Sequence, residues 1–135
     1  MRTIPLFESP MSVAVVRNMN AVVLAFIGDA VHTLATRTRL VCECDCKTDK
    51  LHTMTSREVK ASAQAELFDT VKDNLTDDEK AIYMRGRNAH TATTAKNATL
   101  ADYKKATGFE ALLGYLYLTG NADRLNEILK QQESI

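Results

Sequence analysis

The sequence predicts an all-α domain of about six helices, and three observations predict it. Apolar residues recur every three to four positions through most of the chain, the spacing of a helix face. Start and stop signals punctuate that pattern at Thr76, Gly86, Thr99, Gly120 and Asn121. No alternating run of strand length bounded by turn residues occurs, and no internal repeat.

The first long helix is expected from about Asn20 to Arg39, where Val23, Ile27, Ala30, Val31 and Leu34 trace one face. A second reads from Ser56 to Lys72, with Val59, Ala63, Leu67 and Val71 on one side. Thr76 followed by Asp77, Asp78 and Glu79 forms a capping box with an acidic first turn, starting a third helix that stops at Gly86. Asn88 to Asn97, rich in Thr and Ala without an apolar period, reads as a loop. Thr99 caps a short helix to Lys105. The next, from about Thr107 to Leu118, buries Phe109, Leu112, Leu113 and Leu116, and Gly120 closes it. Asn121 then caps a final helix carrying Leu125, Ile128 and Leu129.

Bulk properties bound the class. The 135 residues, 1–135, are expected to form a single domain long enough to bury a core without staples. Composition, 45% hydrophobic and 25% charged, is ordinary for a soluble globular protein. The longest apolar run, Ala21 to Gly28, falls well short of the ~18 residues of a membrane span. Met1 to Pro5 lacks the apolar stretch of a secretory signal, so a cytoplasmic protein without a membrane partner is expected. Three cysteines in that setting read as reduced thiols.

Formal net charge is zero, so no global basic field advertises a polyanion. The distribution is less even. Glu43 to Glu79 holds ten acids against five Lys and Arg. Lys80 to Lys105 holds six Lys and Arg against Asp102 alone. Such a segment is either ordinary variation or a local phosphate-binding surface on a neutral body.

Two acids carry the chemical interest. Asp29 lies in Phe26-Ile27-Gly28-Asp29-Ala30-Val31, and Glu110 in Gly108-Phe109-Glu110-Ala111-Leu112-Leu113-Gly114-Tyr115. On a helical wheel Asp29 falls on the flank of its apolar stripe, toward Ala25, Thr33 and Thr36. Glu110 falls on the edge of its own, near Gly114 and Tyr117. A carboxylate beside a core-facing stripe needs a partner or a metal. Glycine inside a helix costs about 1 kcal/mol against alanine, and close approach of a second helix is one reason for Gly114. If that helix carries Asp29, the two acids meet in one divalent-cation site; taken singly, each is a boundary residue with a local hydrogen bond.

Three motifs also carry a resemblance. Ala25 to Val31 resembles the hallmark of the ribonuclease III catalytic domain, and Thr107 to Leu118 resembles that domain's second acidic motif. Arg85-Gly86-Arg87-Asn88-Ala89 resembles a motif of its small branch, Mini-ribonuclease III, which lacks a separate double-stranded RNA-binding domain. The resemblance spans roughly residues 20–129, and three motifs in order make it specific.

That resemblance implies a homodimeric, all-α, magnesium-dependent endoribonuclease cutting double-stranded RNA, with manganese as a substitute. Asp29 and Glu110 match the family's catalytic metal ligands. Phe26 and its apolar neighbours lie on the helix that relatives place at the subunit contact. Small-branch members mature large-subunit ribosomal RNA in bacteria, which makes precursor 23S rRNA the expected substrate. The chain departs from the full-length pattern by carrying Val22, Ala25 and Thr107 where that pattern has further acids. The alternative is therefore a catalytically impaired dimeric RNA-binding or ribosome-assembly module of the same fold.

Arg85 and Arg87 flank a glycine that lets a backbone approach a ligand, and Asn88 adds donor and acceptor. Lys96, Lys104 and Lys105 extend this basic region, and all six residues are candidates for RNA contact. Tyr103 is expected to pack rather than stack on a base. His32, where the family has an aromatic residue, is expected on the helix surface. Cys42, Cys44 and Cys46 would need His52 as a fourth zinc ligand and lack the usual paired spacing, so incidental loop thiols are expected.

Overall fold

One helix, Leu100–Leu118, is apolar almost all the way round, and that property makes it the axis of the fold. From Ala106 to Leu116 every residue is buried except Glu110, which is partly exposed. The computed structural model describes residues 10–90 and 98–134. In chain order the helices are α1 Val13–Arg17, α2 Ala21–Glu43, α3 Thr48–Val59, α4 Ala61–Val71, α5 Asp77–Arg87, α6 Leu100–Leu118 and α7 Ala122–Lys130. Single 3-10 turns follow α4 at Lys72–Asn74 and α7 at Gln131–Ser134. No strand occurs among the described residues, so the all-α expectation holds.

Helices α2, α4, α5 and α7 pack around α6. The fully buried centre is Leu24 of α2, Leu67 of α4, Phe109, Leu112 and Leu113 of α6, and Ile128 of α7. Phe68 stacks flat on Tyr83 with ring centroids 3.7 Å apart, joining α4 to α5. Side chains expected to be buried on the last two helices are buried as expected. No helix among the described residues is long and apolar enough to cross a membrane.

Helix ends follow the sequence closely where a cap is chemically explicit. Thr76 accepts from the Glu79 amide while the Glu79 carboxylate accepts from the Thr76 amide, the reciprocal capping box. Glu79 is itself buried and held by Arg124, whose Nε and Nη2 donate to its two oxygens at 2.9 Å each. Burial alone would raise the Glu79 carboxyl, but the hydrogen bonds and charge of Arg124 together with the hydrogen bonds of Thr76 hold the group below the usual carboxylate range. Gly120, with φ of 74°, ends α6: its amide donates to the Tyr117 carbonyl and the Asn121 amide to that of Leu116.

Several elements differ from expectation. α1 and α3 leave no apolar period in the sequence, because one is a single short turn-and-a-half and the other carries few apolar residues. α3 and α4 are separate helices broken at Lys60, whose extended ψ of 158° ends one and starts the other. The two helices expected around Lys105 are one, since Thr107 satisfies its hydroxyl by donating to the Tyr103 carbonyl and does not interrupt the turn. Asn121 stands at the start of α7 without a side-chain cap. The buried face of α2 is also rotated from the expected one: Leu24, Ala25, Gly28 and Val31 face inward, whereas Val23, Ala30 and Leu34 are exposed. α2 has two apolar faces, and periodicity alone favoured the wrong one.

Candidate active site

Asp29 and Glu110 meet because α2 and α6 cross backbone to backbone. A Cβ on Gly28 would lie 1.7 Å from the carbonyl oxygen of Glu110, and one on Gly114 would lie 2.0 Å from that of Leu24. No side chain fits at either crossing point, so glycine is the residue both positions require. The close approach anticipated for Gly114 is what it serves. Asp29 follows Gly28 by one residue, so the crossing sets its carboxyl beside that of Glu110.

Two carboxyls in contact cannot both carry a full charge cheaply without a cation. Burial, and then the hydrogen bond and charge of Asp29, push the Glu110 carboxyl up to about 8. The Gln64 amide opposes this, with Nε2 donating to Glu110 Oε2 at 3.4 Å. None of these influences on Glu110 is a cationic side chain. A pair of hard oxygen donors held together at such a cost fits a divalent cation such as magnesium, which commonly takes one or two carboxylates and completes its shell with water and phosphate. Among the described residues no group of three or more His, Cys, Asp or Glu side chains is placed to hold a metal, so the pair would supply two ligands.

His32 corrects an expectation. It is fully buried, not on the helix surface. Its ring meets Phe109 edge-on at 5.8 Å, and burial lowers its pKa so that the neutral form is favoured. It lies behind the acid pair, where its Nδ1 is 2.9 Å from Gln64 Nε2 and its Nε2 is 3.0 Å from Gln132 Oε1. Gln64 and Gln132 were not singled out from sequence. Gln64 had a legible signal, since it falls on the apolar face of α4 with Leu67, Phe68 and Val71. Gln132 had none, because it lies in the 3-10 turn beyond the last periodic helix.

The basic candidates divide by what already engages them. Arg87 and Lys104 line one cleft of about 210 Å³ with Gly86, His90, Tyr103 and Thr107. Arg85 instead donates both Nη atoms to the backbone carbonyls of Arg17 and Met19, tying α5 to the turn between α1 and α2. Asn88 caps α5, and its side-chain oxygen accepts from Arg87 at 3.1 Å. Lys105 pairs with Asp69 at 3.0 Å. Lys96 lies outside the described residues.

Phe26 is 80% exposed, with Val22, Val23, Leu34 and Val41 also exposed along α2. Such a stripe is more apolar than a solvent-facing helix normally presents. In the turn before α3, Cys44 and Cys46 lie side by side with Cα atoms 5.3 Å apart. Cys42 is exposed and free.

Comparison with known proteins shows the family. Residues 22–121 match the model of the ribonuclease III domain. The chain is 48% identical to a Mini-ribonuclease 3 of Thermoanaerobacter sp. (strain X514), an alignment covering 85% of this chain and 81% of that protein. It is 43% identical to one from Brevibacillus brevis, covering 86% of this chain and 87% of the relative. A crystal structure of a Fusobacterium nucleatum protein superimposes with a TM-score of 0.81 at 25% identity, covering 87% of this chain and 94% of the other. The matched span contains both acids and the α2–α6 crossing that joins them, and the chain belongs to the ribonuclease III domain family, in its Mini-ribonuclease 3 branch.

Proposed function

We propose that this chain, an endoribonuclease by family, cuts double-stranded RNA as a homodimer with magnesium held by Asp29 and Glu110. The observation that carries this reading is the pair of neighbouring acids at the α2–α6 backbone crossing. Manganese suits the same oxygen donors. When bound, the ion supplies an acidified water and neutralises charge on the scissile phosphate and leaving oxygen.

The chain's own residues do the rest. Glu110 gives up its proton to serve as a ligand, which links cation binding to pH. Gly28 and Gly114 fix the spacing of the two helices, so the carboxyls arrive preorganised. Arg87 and Lys104, which share one cleft, take phosphates of the duplex, and duplex RNA is read largely through such contacts. Arg85 serves the same surface from behind, by holding the α1–α2 turn in place. The exposed stripe around Phe26 receives the matching stripe of a second copy, which sets two acid pairs against the two strands of a duplex.

The proposed substrate is a paired stem of precursor 23S rRNA, in the cytoplasm. Incubating the purified protein with a transcript of that stem tests it: staggered cuts at discrete positions on both strands support it, and uniform cutting of every duplex supplied rejects it. Binding to the stem without cleavage in any divalent metal would favour a binding or ribosome-assembly role instead.

A further inference from the structure

We propose that Gln64 is a positioning residue for Glu110, and that His32 and Gln132 set the direction in which its amide points. This rests on the reading of Glu110 as a metal ligand and adds residues to that site which the acid pair does not include.

The polarity of the relay is fixed from one end. The backbone carbonyl of Glu58 can only accept, so the partner 3.1 Å away must be the amide nitrogen of Gln132. With its nitrogen so committed, Gln132 offers Oε1 to His32, and the ring nitrogen facing it, Nε2, must carry hydrogen. A buried imidazole bearing one proton leaves Nδ1 as an acceptor. Gln64 therefore turns its NH2 toward His32 Nδ1, at 2.9 Å, and the second hydrogen of that same nitrogen faces Glu110 Oε2 at 3.4 Å. Were the amide reversed, its oxygen would confront both the lone pair of Nδ1 and the carboxylate. Glu58 is itself anchored, because Arg39 pairs with its carboxylate.

The consequence is specific to a site with two acids. Glu110 has the Asp29 carboxyl beside it, and the Gln64 amide donates to its Oε2. Gln64 and His32 are buried, so the orientation is held by the interior rather than by solvent. The last turn of the chain, through Gln132, thereby supports a ligand on α6 that it does not touch. Groups that orient a ligand in this way typically contribute ten- to a hundredfold in metal affinity.

Titration of the RNA-free protein with Mn2+, followed by calorimetry, tests this in the native chain, Gln64→Leu, His32→Phe and the double variant. Gln64→Leu is expected to weaken Mn2+ binding by about tenfold. His32→Phe is expected to weaken it less, and the double variant no more than Gln64→Leu alone, since His32 acts through Gln64. Unchanged affinity in Gln64→Leu, or additive losses in the double variant, overturns the proposal. Native protein that fails to bind Mn2+ overturns the metal reading itself. Should the variants not fold, the 15N resonances of His32 in the native protein decide: an Nε2–H tautomer is required, and an Nδ1–H tautomer or an imidazolium at neutral pH rejects the relay.

Discussion

Gly28 and Glu110 touch through their backbones: a Cβ on residue 28 would sit 1.7 Å from the Glu110 carbonyl oxygen. The contact couples the position of one acid to the other, because Asp29 is the next residue after Gly28. Gly28→Ala is therefore expected to force α2 off α6. Overpacking a tight core contact costs about 1–3 kcal/mol and more where backbone must move, so a loss of at least about 3 kcal/mol is expected. Urea unfolding of Gly28→Ala against the native protein checks it, and a variant of native stability would show that the helices do not cross as described.

The metal-free protein should lose stability as pH rises. Glu110 in the folded chain holds its proton to about 8, chiefly through burial and then through Asp29, against an ordinary value of 4.5. Its pKa is raised on folding, so between those values the folded state binds more protons than the unfolded one, and unfolding becomes easier with increasing pH. The change is of the order of a few kcal/mol at most. Melting temperatures in EDTA between pH 5 and 9 should fall for the native chain, and Glu110→Gln should flatten that slope. Added magnesium should recover the lost stability at the upper end.

Charge reversal separates the basic residues by role. Arg87→Glu and Lys104→Glu should weaken duplex RNA binding at every sequence tested and lower the salt dependence by about one phosphate contact each. Arg85→Ala should chiefly lower thermal stability, since Arg85 donates to the carbonyls of Arg17 and Met19. Filter binding at three salt concentrations, with a melting curve for each variant, reads both effects. Equal losses of affinity without loss of stability would place Arg85 on the RNA.

Phe26→Ala should weaken self-association. An aromatic side chain that is 80% exposed in one copy gains about 1.5–3 kcal/mol when covered. A two-fold interface uses the residue twice, so at least about a tenfold loss in dimer affinity is expected. Sedimentation equilibrium measures it, and a dimer of unchanged affinity would move the contact elsewhere.

Much of the site was legible because its logic is local. A charged residue within an apolar run, and a glycine one turn away, are visible in a single segment. That Asp29 and Glu110 meet follows from the two glycines once the helices are paired. The ends at Thr76, Thr99 and Gly120 were legible for the same reason, since each cap is made within a few residues. The buried face of α2 was not, because a helix that covers α6 on one side and exposes Phe26 on the other carries two apolar periods. The same two periods place His32 on the surface, whereas its burial depends on α4 and the last turn closing over it. Gln132 is tied to Glu58 across 74 positions of chain, and no spacing rule reaches so far.

Cleavage of a labelled perfect RNA duplex, in magnesium or in EDTA, tests the central claim most directly when the native chain is compared with Asp29→Asn and Glu110→Gln. The expected result is magnesium-dependent cutting by the native chain that falls by several orders of magnitude in both variants while duplex binding persists. Cutting that survives in either variant, or that proceeds unchanged in EDTA, would contradict a metal site built on this acid pair.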